Sequence, residues 1–218
     1  TSEDSLRAMY RGFKIAGNKL GCIVALRELG KLQRNESRFD DALKSHSDGL
    51  KLAEEACDTI EMVRAMNNIG TNYRRLGILD VATNYHYRAW KISEECSDTS
   101  ETTVKNLSVS LNGLGNIYMT TGNYERADSV FRMALQGEKR LRSDIGQAIN
   151  YANIGSVFEK RGQTDSAWVY YRQSMKFNEA AHSVLGVSLC HTNFGSLYEK
   201  EGNFDRAIDE YKKAYLLM

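Results

Sequence analysis

Proline is absent from all 218 residues. A chain of this length without proline has only glycine to interrupt its helices. A charge excess of either sign is also lacking, since 29 Lys+Arg stand against 28 Asp+Glu. A nucleic-acid surface normally carries a strong basic excess, so the composition speaks against a duplex or RNA partner. No apolar run approaches the roughly 18 residues that span a bilayer, which speaks against membrane insertion by this segment. No leader peptide is visible. The chain starts at Thr1, so a removed leader stays open. A cytoplasmic location is therefore preferred, with a periplasmic one as the alternative.

Cysteine is scarce as well. Cys22, Cys57, Cys96 and Cys190 form no CxxC pair and no Cys/His cluster with zinc spacing. Cys57 in "EEACD" and Cys96 in "EECSD" hold matching places in consecutive stretches. That reads as small, buried packing residues. The sequons at Asn35 and Asn106 are short enough to arise by chance. Catalytic signatures are missing too: there is no nucleophile elbow, no P-loop, no GxGxxG after a strand and no HExxH. No enzyme activity, metal or cofactor is expected.

What the chain does contain is repetition. "NIGTNYRRLG" (68–77) returns as "GLGNIYMTTG" (113–122), "NIGSVFEKRG" (153–162) and "NFGSLYEKEG" (193–202). The anchor glycines are Gly30, Gly70, Gly115, Gly155 and Gly195, at intervals of 40, 45, 40 and 40 residues. A sustained interval in this range marks a solenoid or an array. The residue before each anchor is bulky and apolar: Leu29, Ile69, Leu114, Ile154 and Phe194. Three after the anchor stands a ring in four copies, and sixteen after it stand His46, His86, Phe131, Tyr171 and Tyr211. Twelve after it, all five copies have alanine: Ala42, Ala82, Ala127, Ala167 and Ala207. Offsets −4, −1, 0 and +3 share one helix face, and so do +12, +16 and +19. Between the two sets lies Gly77, Gly122, Gly162 or Gly202, with Ser37 in the first copy. Such a glycine closes a helix in the left-handed conformation. Each copy thus reads as helix, tight turn, helix. Asp58-Thr-Ile-Glu61 and Asp144-Ile-Gly-Gln147 fit capping boxes at helix starts. The mid-helix glycine and alanine fit a place where two backbones approach closely, with bulky residues flanking the contact. His46 and His86 replace an aromatic and read as packing residues, and Trp90 and Trp168 fall on apolar faces.

The pattern resembles the tetratricopeptide repeat (TPR) family. The third copy matches throughout, with Leu111, Leu114, Gly115, Tyr118, Gly122, Tyr124, Ala127, Phe131 and Ala134. The fifth departs only at His191, and the first is weakest, with Gln33, Ser37 and His46 at ring or glycine places. The 40-residue interval resembles the longer variant of kinesin light chains and peptide-sensing bacterial regulators. The resemblance implies an all-α fold, a right-handed superhelical solenoid of eleven helices without a strand. The expected division is 1–18 (second helix of a truncated repeat), 19–57, 58–97, 98–143 with a longer loop near 97–103, 144–182, and 183–218 as a truncated repeat. Both ends cut through the array, so a segment of a longer protein is expected.

In such arrays the first helix of each hairpin lines the concave side, where partners bind. Its exposed face holds offsets −6, −3, +1, +4 and +5. These read Arg27, Lys31 and Arg34 in the first copy and Arg64, Asn67, Thr71, Arg74 and Arg75 in the second. The third gives Asn112, Asn116 and Met119, and the last two give Ser156, Glu159, Lys160, Thr192, Ser196, Glu199 and Lys200. Asn68, Asn153 and Asn193 border the same face. The first two copies are basic with no acid at these places. Asparagine amides hold an extended peptide backbone, and arginines pair with its carboxylates. The expected function is binding of a protein or an extended, acidic peptide. The alternative is the sensory arm of a bacterial regulator or sensor kinase whose effector part lies elsewhere.

Overall fold

The computed structural model describes residues 2–96 and 100–218. Among them are eleven helices and no strand, as the periodicity predicts. They are α1 (Glu3–Ile15), α2 (Lys19–Asn35), α3 (Phe39–Glu55), α4 (Thr59–Arg75), α5 (Leu79–Glu95), α6 (Glu101–Thr120), α7 (Tyr124–Arg140), α8 (Asp144–Lys160), α9 (Thr164–Ala180), α10 (Val184–Lys200) and α11 (Phe204–Leu216). No helix is long and apolar enough to cross a membrane. The loop expected near 97–103 falls partly outside the described residues. From Glu101 onward it is already helix, and α6 is 20 residues long where α4 and α8 have 17. At least part of the extra length therefore extends a helix.

The turn chemistry follows the sequence. Gly77, Gly122, Gly162 and Gly202 close the first helices of their hairpins with φ between 73° and 78°, and Ser37 takes the same left-handed role at 61°. The connections between hairpins use the same device at Gly17, Cys57, Arg142 and His182. This corrects the reading of the cysteines. Cys57 is exposed because it sits in that turn, and Cys96 is half-exposed at the end of α5. Only Cys22 and Cys190 are buried. Asp58 caps α4 by accepting from the Glu61 amide, as its motif predicts. At α8 the cap is Ser143, one residue before the expected Asp144.

Two compact units follow one another, residues 1–117 and 118–218. In the first, α2 packs on α3 and α4 on α5, while α2 also touches α4. Its core holds Val63, Met66 and Ile69 of α4 with Leu50 and Ala89. Each fully buried aliphatic of this size contributes about 1.5–3 kcal/mol. In the second unit α8 pairs with α9, α10 with α11, and α8 touches α10. Phe131, Leu135, Ile154 and Val157 form one cluster there, and Ala167, Tyr171 and Leu197 another.

Ala42, Ala82, Ala127 and Ala167 are completely buried. The anchor glycines have a more specific role than close backbone approach. A Cβ on Gly30 would stand 2.5 Å from the His46 ring, on Gly70 2.8 Å from His86, on Gly155 2.6 Å from Tyr171, and on Gly195 2.5 Å from Tyr211. The ring at +16 thus lies where the glycine side chain would be. His86 is also covered by Gly113 of α6, so one ring serves two helices.

Candidate peptide-binding face

The exposed face of α2, α4 and α6 encloses a cavity of about 400 Å³ in the first unit. Seven of the expected residues line it: Arg27, Lys31, Arg34, Arg64, Asn67, Asn68 and Thr71. They converge because offsets three or four apart stack on one helix face and α2 lies against α4. Arg74 and Arg75, in the last turn of α4, are not part of its lining.

The basic character is partly compensated, by residues outside the offsets considered. Arg27 Nη1 donates to both oxygens of Glu61 at 2.7 and 2.8 Å, and Arg64 donates to the same carboxylate at 2.5 Å. Glu61 is only 4% exposed. Glu28 accepts from Arg27 at 3.1 Å and from Lys31 at 3.0 Å. Burial pushes the Glu28 carboxyl up, but the cations beside it outweigh this and hold it below the usual range. The offsets −6, −3, +1, +4 and +5 carry no acid in these two copies, but two carboxylates from other positions, Glu28 and Glu61, lie among their cations.

Arg34 keeps its charge uncompensated. Its Nη1 donates to Asn68 Oδ1 at 3.0 Å, and its Nε is buried without an acceptor. Burial, and then the neighbouring Arg75 charge, lower its pKa. The same two causes lower that of Arg74. Arg34, Arg74 and Arg75 have no ion pair among the described residues.

Asn67 is corrected from contact residue to brace. It is 5% exposed, and its Oδ1 accepts from His86 Nδ1 at 3.0 Å. Its Nδ2 donates to Ser110 Oγ at 2.9 Å and to the Asn106 carbonyl at 3.4 Å. One amide ties α4, α5 and α6 together, leaving little for a ligand. Asn68 Nδ2 donates to the Arg64 carbonyl and Thr71 Oγ1 to the Asn67 carbonyl, so both are oriented by their own helix. Asn112 and Asn116 are half-buried on α6 and have interactions of their own.

In the second unit the corresponding face is held differently. Glu159 accepts from Tyr171 at 2.5 Å, from Ser196 at 2.7 Å and from Lys200 at 2.7 Å, which joins α8, α9 and α10. Asn153 and Asn193 are half-buried beside it on α8 and α10.

Sequence reasoning missed two lining residues, Asn106 and Val109 of α6. Val109 is 50% exposed and stands six residues before its anchor glycine, where Ile149 and Leu189 are also about half exposed. The offset was legible, but only its polar occupant, Arg64, was read as functional. Asn106 carried no signal beyond the sequon.

Residues 106–180 and 190–217 match sequence models of the tetratricopeptide repeat. No curated protein matches the chain. Among solved structures, BtubC (BKLC) from P. vanneervenii superposes with a TM-score of 0.78 at 21% identity, covering 99% of this chain and 86% of that one. The Rap conjugation gene regulator of the plasmid pLS20, solved in complex with the Phr* peptide, gives 0.75 at 17%, over 91% of this chain and 54% of that one. The nearly identical TPR-like repeats of a kinesin light chain from Podosopora anserina give 0.68 at 10%, over 89% and 94%. Identities this low speak for the fold alone. Hairpins with glycine-seated rings recur at this interval through both units, and the repeat models match them over residues 106–180 and 190–217: the chain carries tetratricopeptide repeats.

Proposed function

We propose that the chain is a protein-interaction module that holds an extended, acidic segment of a partner against the α2, α4 and α6 face. The observation that carries this is the cavity itself, where six residues from the exposed offsets meet the bordering Asn68 and cations outnumber carboxylates. Lys31 and Arg34 face the partner's acids. Arg74 and Arg75, unpaired at the end of α4, add long-range attraction. Asn68 offers an amide to the partner backbone. The Rap regulator, solved with a peptide bound, supports a peptide as the partner type. Exposed ion pairs are worth about 0–1 kcal/mol each, so affinity comes from several contacts together and weakens with salt.

A second reading is a regulatory arm within a longer protein. It is favoured by the Rap regulator, of which this chain covers 54%.

A peptide-library screen tests the first reading, with Lys31→Glu plus Arg34→Glu as the control. Acidic peptides should be enriched, and the double reversal should weaken them by ~10-fold or more at low salt. Neutral or basic best binders, or an unchanged affinity in the control, would overturn it.

A further inference from the structure

Two residues that line the cavity in the first unit each carry a buried donor without an acceptor. Arg34 Nε and Asn106 Nδ2 are both buried donors with no partner, one from α2 and one from α6. Asn106 is 8% exposed, and both residues line the cavity. Buried donors are almost always satisfied, and their exceptions call for a missing group. The Asn106 backbone carbonyl accepts from Ser110 Oγ at 3.0 Å and from Asn67 Nδ2 at 3.4 Å, which fixes this residue against α4.

The charge points the same way. Four cations line the cavity: Arg27, Lys31, Arg34 and Arg64. Two carboxylates, Glu28 and Glu61, pair with them. Two positive charges are left over. Glu61 cannot turn away to release more, since both of its oxygens are held by Arg27 and it is shut in by burial. A carboxylate from a partner brings one negative charge and a flat pair of oxygens. A phosphomonoester brings about 1.5–2 charges and three strong acceptor oxygens pointing in different directions. Guanidinium donors suit it geometrically, and three of the four lining cations, Arg27, Arg34 and Arg64, are arginines. Burial, and then the neighbouring Arg75 charge, lower the Arg34 pKa, so an anion beside it relieves repulsion as well as pairing with it. A volume of about 400 Å³ leaves room for more than an ion, and the half-exposed Val109 offers an apolar wall for an adjoining side chain.

We infer that the α2/α4/α6 cavity binds a phosphorylated serine or threonine within a partner segment, with Arg34 and Asn106 as its donors. This rests on the peptide-binding reading of the same cavity. It goes further in naming a group that acidic residues do not replace.

The test uses the full chain and three matched peptide libraries. Their central residue is phosphoserine or phosphothreonine, the unmodified hydroxyl residue, or glutamate. Anisotropy titration should give the phosphorylated library an affinity ~10-fold or more above the glutamate library. Arg34→Gln should remove that advantage, and Lys31→Gln, a change at the half-exposed rim, should reduce it in a protein whose melting is unaltered. Equal binding of the glutamate library would overturn the inference while leaving the peptide reading intact. No binding by any library would remove both. Phosphopeptide binding indifferent to both variants would move the site elsewhere and overturn the inference. Displacement by inorganic phosphate at the peptide's own Kd would reveal a simple ion site and overturn it too.

Discussion

At the scale of single residues, the repeat is most informative where a copy breaks it. Two residues after the anchor, four copies place an apolar side chain: Leu32, Ile117, Val157 and Leu197. The second copy has Asn72, which is fully buried with neither amide atom hydrogen-bonded. A buried polar group without a partner costs about 1–3 kcal/mol. Asn72→Leu nearly preserves the shape and removes the orphaned atoms. It should raise stability by about 1–2 kcal/mol, read from the urea midpoint. A lower midpoint would mean that the amide has a partner in solution, such as an ordered water. Asn67 behaves in the opposite way. Its amide is fully engaged by His86, Ser110 and the Asn106 carbonyl, so the two asparagines differ in cost because of their neighbours alone.

At the scale of the element, a hairpin is specified by its turns. The left-handed conformation costs a non-glycine residue about 1 kcal/mol or more. Glycine meets it at Gly77, whereas Cys57 and Arg142 hold it at φ 52°. Cys57→Gly and Arg142→Gly relieve that cost, offset in part by the greater freedom of glycine in the unfolded chain. Each should gain about 0.5 kcal/mol, while Gly77→Ala should lose about 1 kcal/mol. Denaturation midpoints of the three variants check the signs, and a loss at Cys57→Gly would refute the argument. This is also where the sequence is most legible. Helix faces, turn glycines and the Asp58 cap are local patterns, readable within one turn or one hairpin. The site was half legible. The offsets locate Arg27, Lys31, Arg34 and Arg64 around one cavity, because a helical face follows from spacing alone. Whether a side chain there is free does not follow from spacing. The Asn67 amide is engaged by residues up to 43 positions away, and Arg27 by a carboxylate 34 positions away. Cys57 was misread for a similar reason, since a matching place between copies can be a turn as readily as a core.

At the scale of the whole molecule, the two units differ in how polar their interiors are. The buried side-chain atoms without partners fall mainly in the first unit, at Arg34, His46, Asn72, His86, Asn106 and Ser108, against Asp128 and Asn150 in the second. Two of these groups are histidines. Burial, reinforced by the Arg34 charge, lowers His46 to about 3. Burial, reinforced by Arg74, lowers His86 to about 4. Both are therefore neutral in the folded protein at neutral pH, and both have an ordinary value near 6.5 once unfolded. Below pH 6.5 the unfolded chain binds protons that the folded chain refuses, so stability falls as pH falls. The decline continues until the folded values are passed, at about 4 and then about 3. Carboxylates with lowered values, such as Glu28, Glu159 and Glu210, titrate beneath the upper part of this window. Between pH 7 and pH 5 each histidine should therefore remove about 2 kcal/mol. Amides of α3 to α5 should lose hydrogen-exchange protection on this acidification before those of α8 to α10. His46→Phe puts a ring like Phe131 over Gly30 without a titrating group, and should remove about half of the pH 7 to pH 5 difference. A variant with the same pH dependence as the parent would show that His46 is already protonated or solvated in the folded chain. The polar interior of the first unit would then have to be satisfied by water rather than held dry.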